Sequence, residues 1–156
     1  DGAWTREEFT SNFGHGSGKP LLIAVKPGGL GDITDSHLAW EHNRGIAEIP
    51  TPLVHGGRVY FVRSGGILTA LRAGDGKPVY SERLGASGQY SASPILASDH
   101  LYLASEPGQI TIVKTGDELK IAHQAKLGEK IHVTPALDGE TLYIRGSKSL
   151  WAFRSE

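Results

Sequence analysis

The chain has 156 residues, with 16 Lys and Arg against 17 Asp and Glu for a net charge of −1, and it contains no Cys and no Met. So even a balance gives no electrostatic case for nucleic acid or a charged membrane surface, and no apolar run approaches the ~18 residues that a spanning helix needs. Without Cys this part forms no disulfide and does no thiol chemistry. Without Met, Asp1 is not an encoded start, so residues 1–156 are expected to be the C-terminal part of a longer protein or a half-ring that pairs with a copy of itself.

Residues 1–19 form an N-terminal extension with two open readings. The stretch DGAWTREEFTSNF matches the second half of an EF-hand loop: Asp1 and Gly2 fall at the fifth and sixth positions and Glu8 at the bidentate twelfth. Asp1 and Glu8 are therefore candidate calcium ligands, although a loop lacking its first four positions should bind calcium poorly. The same residues also read as a short capped helix, because Thr5 and Glu8 have the spacing of a capping box. GHGSGK from Gly14 lacks the full glycine-to-lysine spacing of a phosphate loop and reads as a linker.

From residue 20 onward the chain repeats. TPLVHGGRVYFV from Thr51 returns as SPILASDHLYLA from Ser93 and TPALDGETLYI from Thr134. The prolines Pro52, Pro94 and Pro135 lie 42 and then 41 residues apart, each followed eight residues later by Tyr60, Tyr102 or Tyr143. Repeats of about 40 residues mark arrays whose units cannot bury their apolar faces alone. Within one period apolar residues alternate with period two, and glycine-rich turns such as His55-Gly56-Gly57 separate the runs. No stretch is helical, which excludes a solenoid of strand and helix.

Four strands per period (TPLV, RVYFVR, ILTALR, KPVYSERL) predict an all-β fold of antiparallel four-stranded meanders, the blades of a partial β-propeller. A proline at the first residue of a strand removes no ladder hydrogen bond. The two strands LLIAVKP and SHLAWEH end blade one (20–45). Blade two covers 51–85, blade three 92–128, and blade four (133–155) has only VTPALD, TLYIRG and SLWAFR. An open arc of about 3.5 blades exposes its two end faces and the edge of SLWAFR, inviting the remaining blades of a parent protein or a second copy in a homodimer.

ILTALR followed by AGDGKPVY from Ala73 resembles the blade motif of pyrroloquinoline quinone-like propellers. The aromatic that closes this motif is Trp40, then Tyr80, then His123, so the family's tryptophan docking survives once. GDITDSHLAWEHNRGIAEIPTPLV from Gly31 is similar to the C-terminal blades of large bacterial members of the group, and the similarity covers most of residues 20–156. The resemblance implies a periplasmic or extracellular protein, although no signal segment is visible. Some relatives hold pyrroloquinoline quinone and calcium over the axis; others carry no quinone and act as scaffolds, as does the lipoprotein that assists outer-membrane β-barrel assembly.

This segment has no cysteine pair and no cluster of Asp, Asn and Glu at one end of the blades, so no quinone is expected here and no residue is singled out as catalytic. The expected function is a non-catalytic scaffolding propeller that holds a protein or glycan partner. The alternative is part of a quinone- and calcium-dependent oxidoreductase with its site in other blades. Asp35, His37, Trp40 and Arg44, with Glu41, crowd one unit before the first full blade. They read either as a blade-to-blade contact or as a binding site. The seven histidines follow no metal spacing and read as solvated or capping groups.

Overall fold

The computed structural model describes residues 20–154; the half EF-hand residues Asp1 and Glu8, and the short N-terminal helix expected there, lie outside them. Thirteen strands are present among the described residues, and no helix. They form four antiparallel meanders in chain order. The first has two strands, β1 (Leu22–Val25) and β2 (Leu38–His42). The second has four: β3 (Leu53–His55), β4 (Arg58–Arg63), β5 (Ile67–Arg72) and β6 (Pro78–Arg83). The third repeats this with β7 (Ile95–Ala97), β8 (His100–Ala104), β9 (Gln109–Lys114) and β10 (Lys120–Lys126). The fourth has three, β11 (Ala136–Asp138), β12 (Thr141–Arg145) and β13 (Leu150–Arg154).

The sequence places these strands well except at the start of each period, where the first strand opens after the proline and not before it. Pro52 has no N–H to give a ladder, and the N–H of Thr51 donates to the Ser93 hydroxyl of the next blade (2.8 Å). The turn from β3 to β4 needs positive φ at both Gly56 (+56°) and Gly57 (+73°), the pairing that a tight hairpin selects.

Alternation usually buries one face of a strand, yet β4 buries Val59, Tyr60, Phe61 and Val62 together. Its two faces meet different neighbours. Val59 and Phe61 pack with Leu71 against Leu22 and Trp40 of blade one, whereas Tyr60 and Val62 join Leu68, Leu101, Leu103 and Val113 between blades two and three. A third cluster, with Ile110, Ile131 and Ile144, joins blade three to blade four. The apolar core is therefore a series of seams between sheets, each fully buried Leu or Phe contributing roughly 1.5–3 kcal/mol.

Candidate functional site: blade seams and an apolar groove

Each connector is pinned by the hairpins of the blades it joins. Gly88 O accepts from Gly65 N–H (2.8 Å) and Gln89 O from Glu106 N–H (2.8 Å). One period later, Ile131 N–H donates to Glu106 O (3.1 Å) and Ser147 N–H to Lys130 O (2.9 Å). The Glu106 carboxylate accepts from the Ser91 hydroxyl and lies 3.7 Å from His132 Nδ1. A carboxylate, not an imidazole, faces the serine, so no nucleophile–base pair is assembled; the group ties two connectors together.

The turns after the third strands are clasped differently in successive blades. Trp40 lays its indole on Gly76, where an added Cβ would come 2.6 Å from the ring, and donates its N–H to Ala73 O (2.8 Å). In the next blade the Tyr60 hydroxyl accepts from Gly116 N–H (3.1 Å), and Arg58 Nε donates to Asp117 (3.0 Å). Asp117 raises the Arg58 guanidinium above its usual value by this hydrogen bond. Tyr80, at the position equivalent to Trp40, is buried, and its hydroxyl has no partner among the described residues.

The residues grouped at the start of the arc are not brought into one site. β2 ends at His42, and Arg44 lies beyond it, its carbonyl accepting from His42 Nε2 (2.8 Å). Asp35 is exposed, His37 hydrogen-bonds the Ser36 hydroxyl (2.8 Å), and Trp40 turns into blade two. Among the described residues no three His, Cys, Asp or Glu side chains converge as a metal site.

A groove of about 760 Å³ lies open between blades three and four. Ile110 and Ile144 of the two sheets meet Ile131 of the connector, and Ile112, Ala125, Leu137, Leu142, Trp151 and Phe153 lie along the groove walls. Trp151 and Phe153 stack at 6.1 Å with rings 6° from parallel, yet remain 38% and 43% exposed. Nothing in a single repeat signals this groove, since the same alternation lines closed seams elsewhere.

Glu129 holds Trp151 of the groove wall in place. Its carboxylate accepts from the Trp151 indole N–H (2.5 Å) and from the backbone N–H groups of Lys148 (2.6 Å) and Ser149 (3.2 Å). The indole bond, then the Lys148 amide, holds this carboxyl below its ordinary value of 4.5. A depressed native value means that the stabilisation is present above the ordinary value and lost as pH falls through the native one. Trp151 emission should therefore change on acidification below pH 4.5, and Glu129→Gln should abolish that transition; an unaltered acid titration in the variant would refute the assignment.

Residues 4–156 match the family model described as outer membrane protein assembly factor BamB. The chain belongs to that family. Among solved structures, BamB from Moraxella catarrhalis is similar with a TM-score of 0.67 at 18% identity, covering 87% of this chain and 40% of that one. A quinohemoprotein alcohol dehydrogenase from Pseudomonas putida HK5 gives 0.53 at 17% identity, covering 69% and 19%. The computationally designed Ika4 protein gives 0.61 at 12% identity, covering 79% and 76%. At these identities the likeness shows the fold, a pyrroloquinoline quinone-like β-propeller, of which this chain is a part. The chain spans less than half the length of the BamB structure. No curated protein matches it, and no helix among the described residues is long and apolar enough to cross a membrane.

Proposed function

We propose that the chain is a binding and scaffolding segment of an extracytoplasmic bacterial propeller, and that its partner is a protein held in the groove between blades three and four. One observation carries this reading: polar groups at the seams join the blades, while the groove between blades three and four is mainly apolar and carries two stacked aromatics. Such a surface binds by burial, and exposed aromatics in a partly formed pocket are the usual anchors. Beside it, β13 is the last strand of its sheet among the described residues, so an extended segment can add as a strand while alternate side chains enter the groove. The description of the family as an outer membrane protein assembly factor supports a partner rich in strands.

A synthetic strand peptide with alternating apolar residues should change Trp151 emission on titration. Phe153→Ser should weaken the apparent affinity about tenfold, the worth of one aromatic anchor, without lowering the thermal midpoint by more than a few degrees. Equal binding by both chains would remove the groove from the reading. Pyrroloquinoline quinone added with calcium should give no tight, spectrally visible complex; if it does, the oxidoreductase alternative gains the ground.

A further inference from the structure

We infer, on the reading of the groove as a strand-binding surface, that His123 sets what the groove accepts: an extended segment whose inward side chains are apolar except for one carboxylate, held by the imidazole together with Lys126. One backbone device recurs in three blades and places this residue. In blade one the ladder passes from Ala24↔Trp40 to Val25↔Leu38, leaving Ala39 out of register. In blade two it passes from Ala70↔Tyr80 to Leu71↔Pro78, leaving out Val79. In blade three it passes from Ile112↔His123 to Val113↔Ile121, leaving out Ala122. A one-residue bulge re-aims the side chain beside it, and Trp40, Tyr80 and His123 each stand directly after one.

The first two re-aimed rings fill seams. Trp40 packs with Val59, Phe61 and Leu71, and Tyr80 is buried in the cluster between blades two and three. The third ring lines the groove instead. An imidazole is smaller than an indole or a phenol and carries two ring nitrogens. The device that closes two seams with an aromatic therefore presents, at the third, a hydrogen-bonding group on a wall of Ile110, Ile112 and Ala125.

The charges around the groove favour a carboxylate as the group that His123 meets. Lys126 lies three residues further along β10, about 10 Å at strand rise. Arg154 ends β13, and Glu140 stands just before its ladder partner Thr141. With Tyr102 on β8, these are the charged and titratable residues of the lining. Two fixed cations thus face one acid, and His123 adds a third cation when protonated. Neither Lys126 nor Arg154 forms an ion pair among the described residues. Glu129, beside Trp151, is occupied by the indole and by the amides of Lys148 and Ser149. A segment that brings a carboxylate to His123 gains a charge-assisted hydrogen bond in mainly apolar surroundings. One that brings only apolar side chains leaves the imidazole without a partner.

Three extended peptides, identical except for glutamate, glutamine or leucine at the central inward position, test this by titration of Trp151 emission at about pH 5.5 and about pH 8. Histidines gain their charge across this interval while carboxylates stay ionised, so the added attraction is present at the lower pH and lost as pH rises. The glutamate peptide should bind about tenfold more tightly than the glutamine peptide at the lower pH, and about threefold or less at the higher. His123→Gln should flatten that pH dependence and leave the glutamine peptide within about twofold of its original affinity. His123→Tyr, which installs the ring that fills the preceding seam, should weaken all three peptides about tenfold or more. Equal binding of the glutamate and glutamine peptides at both pH values would overturn the inference, as would an unchanged pH dependence in His123→Gln. The leucine peptide would still bind in either case, so the groove reading would stand. Binding by none of the three would remove the groove reading and this inference together. Should either variant lose its thermal transition, the comparison of peptides on the unaltered chain decides alone.

Discussion

Gly108→Ala should destabilise the chain by about 3 kcal/mol or more, lowering the thermal midpoint by roughly 6–12 °C. Gly108 opens β9 at φ +91°, and a Cβ there would stand 2.1 Å from the carbonyl oxygen of Glu129. Left-handed backbone alone costs an L-residue about 1–2 kcal/mol. The overlap is worse, because the atom in the way is backbone and cannot rotate aside. Relief requires moving the connector, whose Ile131 N–H binds Glu106 O and whose Lys130 O binds Ser147 N–H. The seam between blades three and four would loosen on both sides. Gly66, at φ +69°, meets Ala86 O at 2.0 Å in the preceding period, so Gly66→Ala should behave alike. Gly74→Ala is the control: its φ is not in the left-handed range and nothing lies within 4 Å of its added Cβ, so stability should hold or rise slightly. Denaturant midpoints of the three variants check this, and a tolerant Gly108→Ala would mean that connector and hairpin are not in contact.

The repeat made the blades legible, since hydrophobic period and glycine turns are local signals and the sheets carry them out strand by strand. What joins the blades was less legible, for a physical reason. Partners across a seam lie about one period apart, as with Thr51 and Ser93, or further, as with Tyr60 and Gly116, so no window of one strand holds both. The hydroxyl residues Thr51, Ser93 and Thr134 stood before each proline in plain sight, and the spacing of the prolines was the signal that could have drawn them out. Glu129 had no such signal. Its place under Trp151 depends on how the hairpin of blade four folds back on the connector. The grouping of Asp35, His37, Trp40 and Arg44 left a blade-to-blade contact and a binding site both open; β2 ends at His42, before Arg44, and Trp40 packs across the seam with blade two.

Trp40→Ala should undock blade one while blades two and three stay folded. A two-stranded ribbon is marginal alone in water, and among the described residues β1 and β2 pack against Val59, Phe61 and Leu71. Trp40 supplies the largest side chain to that seam and, among the described residues, its only polar tether from β2, the bond to Ala73 O. Removing a large, partly buried aromatic costs about 2–4 kcal/mol, somewhat less than at a fully buried site. Trp40→Phe keeps part of the contact, loses the hydrogen bond, and should cost about 1–2 kcal/mol. Hydrogen exchange separates local from global loss: amides of β1 and β2 should lose protection in Trp40→Ala, with those of β4, β5, β8 and β9 unchanged. Arg44→Ala and Asp35→Ala change exposed side chains and should stay within about 0.5 kcal/mol. Were β1 and β2 to remain protected in Trp40→Ala, the indole would not be the wedge. The reciprocal change Gly76→Ala pushes on the same ring from the other blade, at 2.6 Å. Because both substitutions break one contact, the double variant should fall short of the sum of the singles, and strict additivity would mean that the two residues act at separate places.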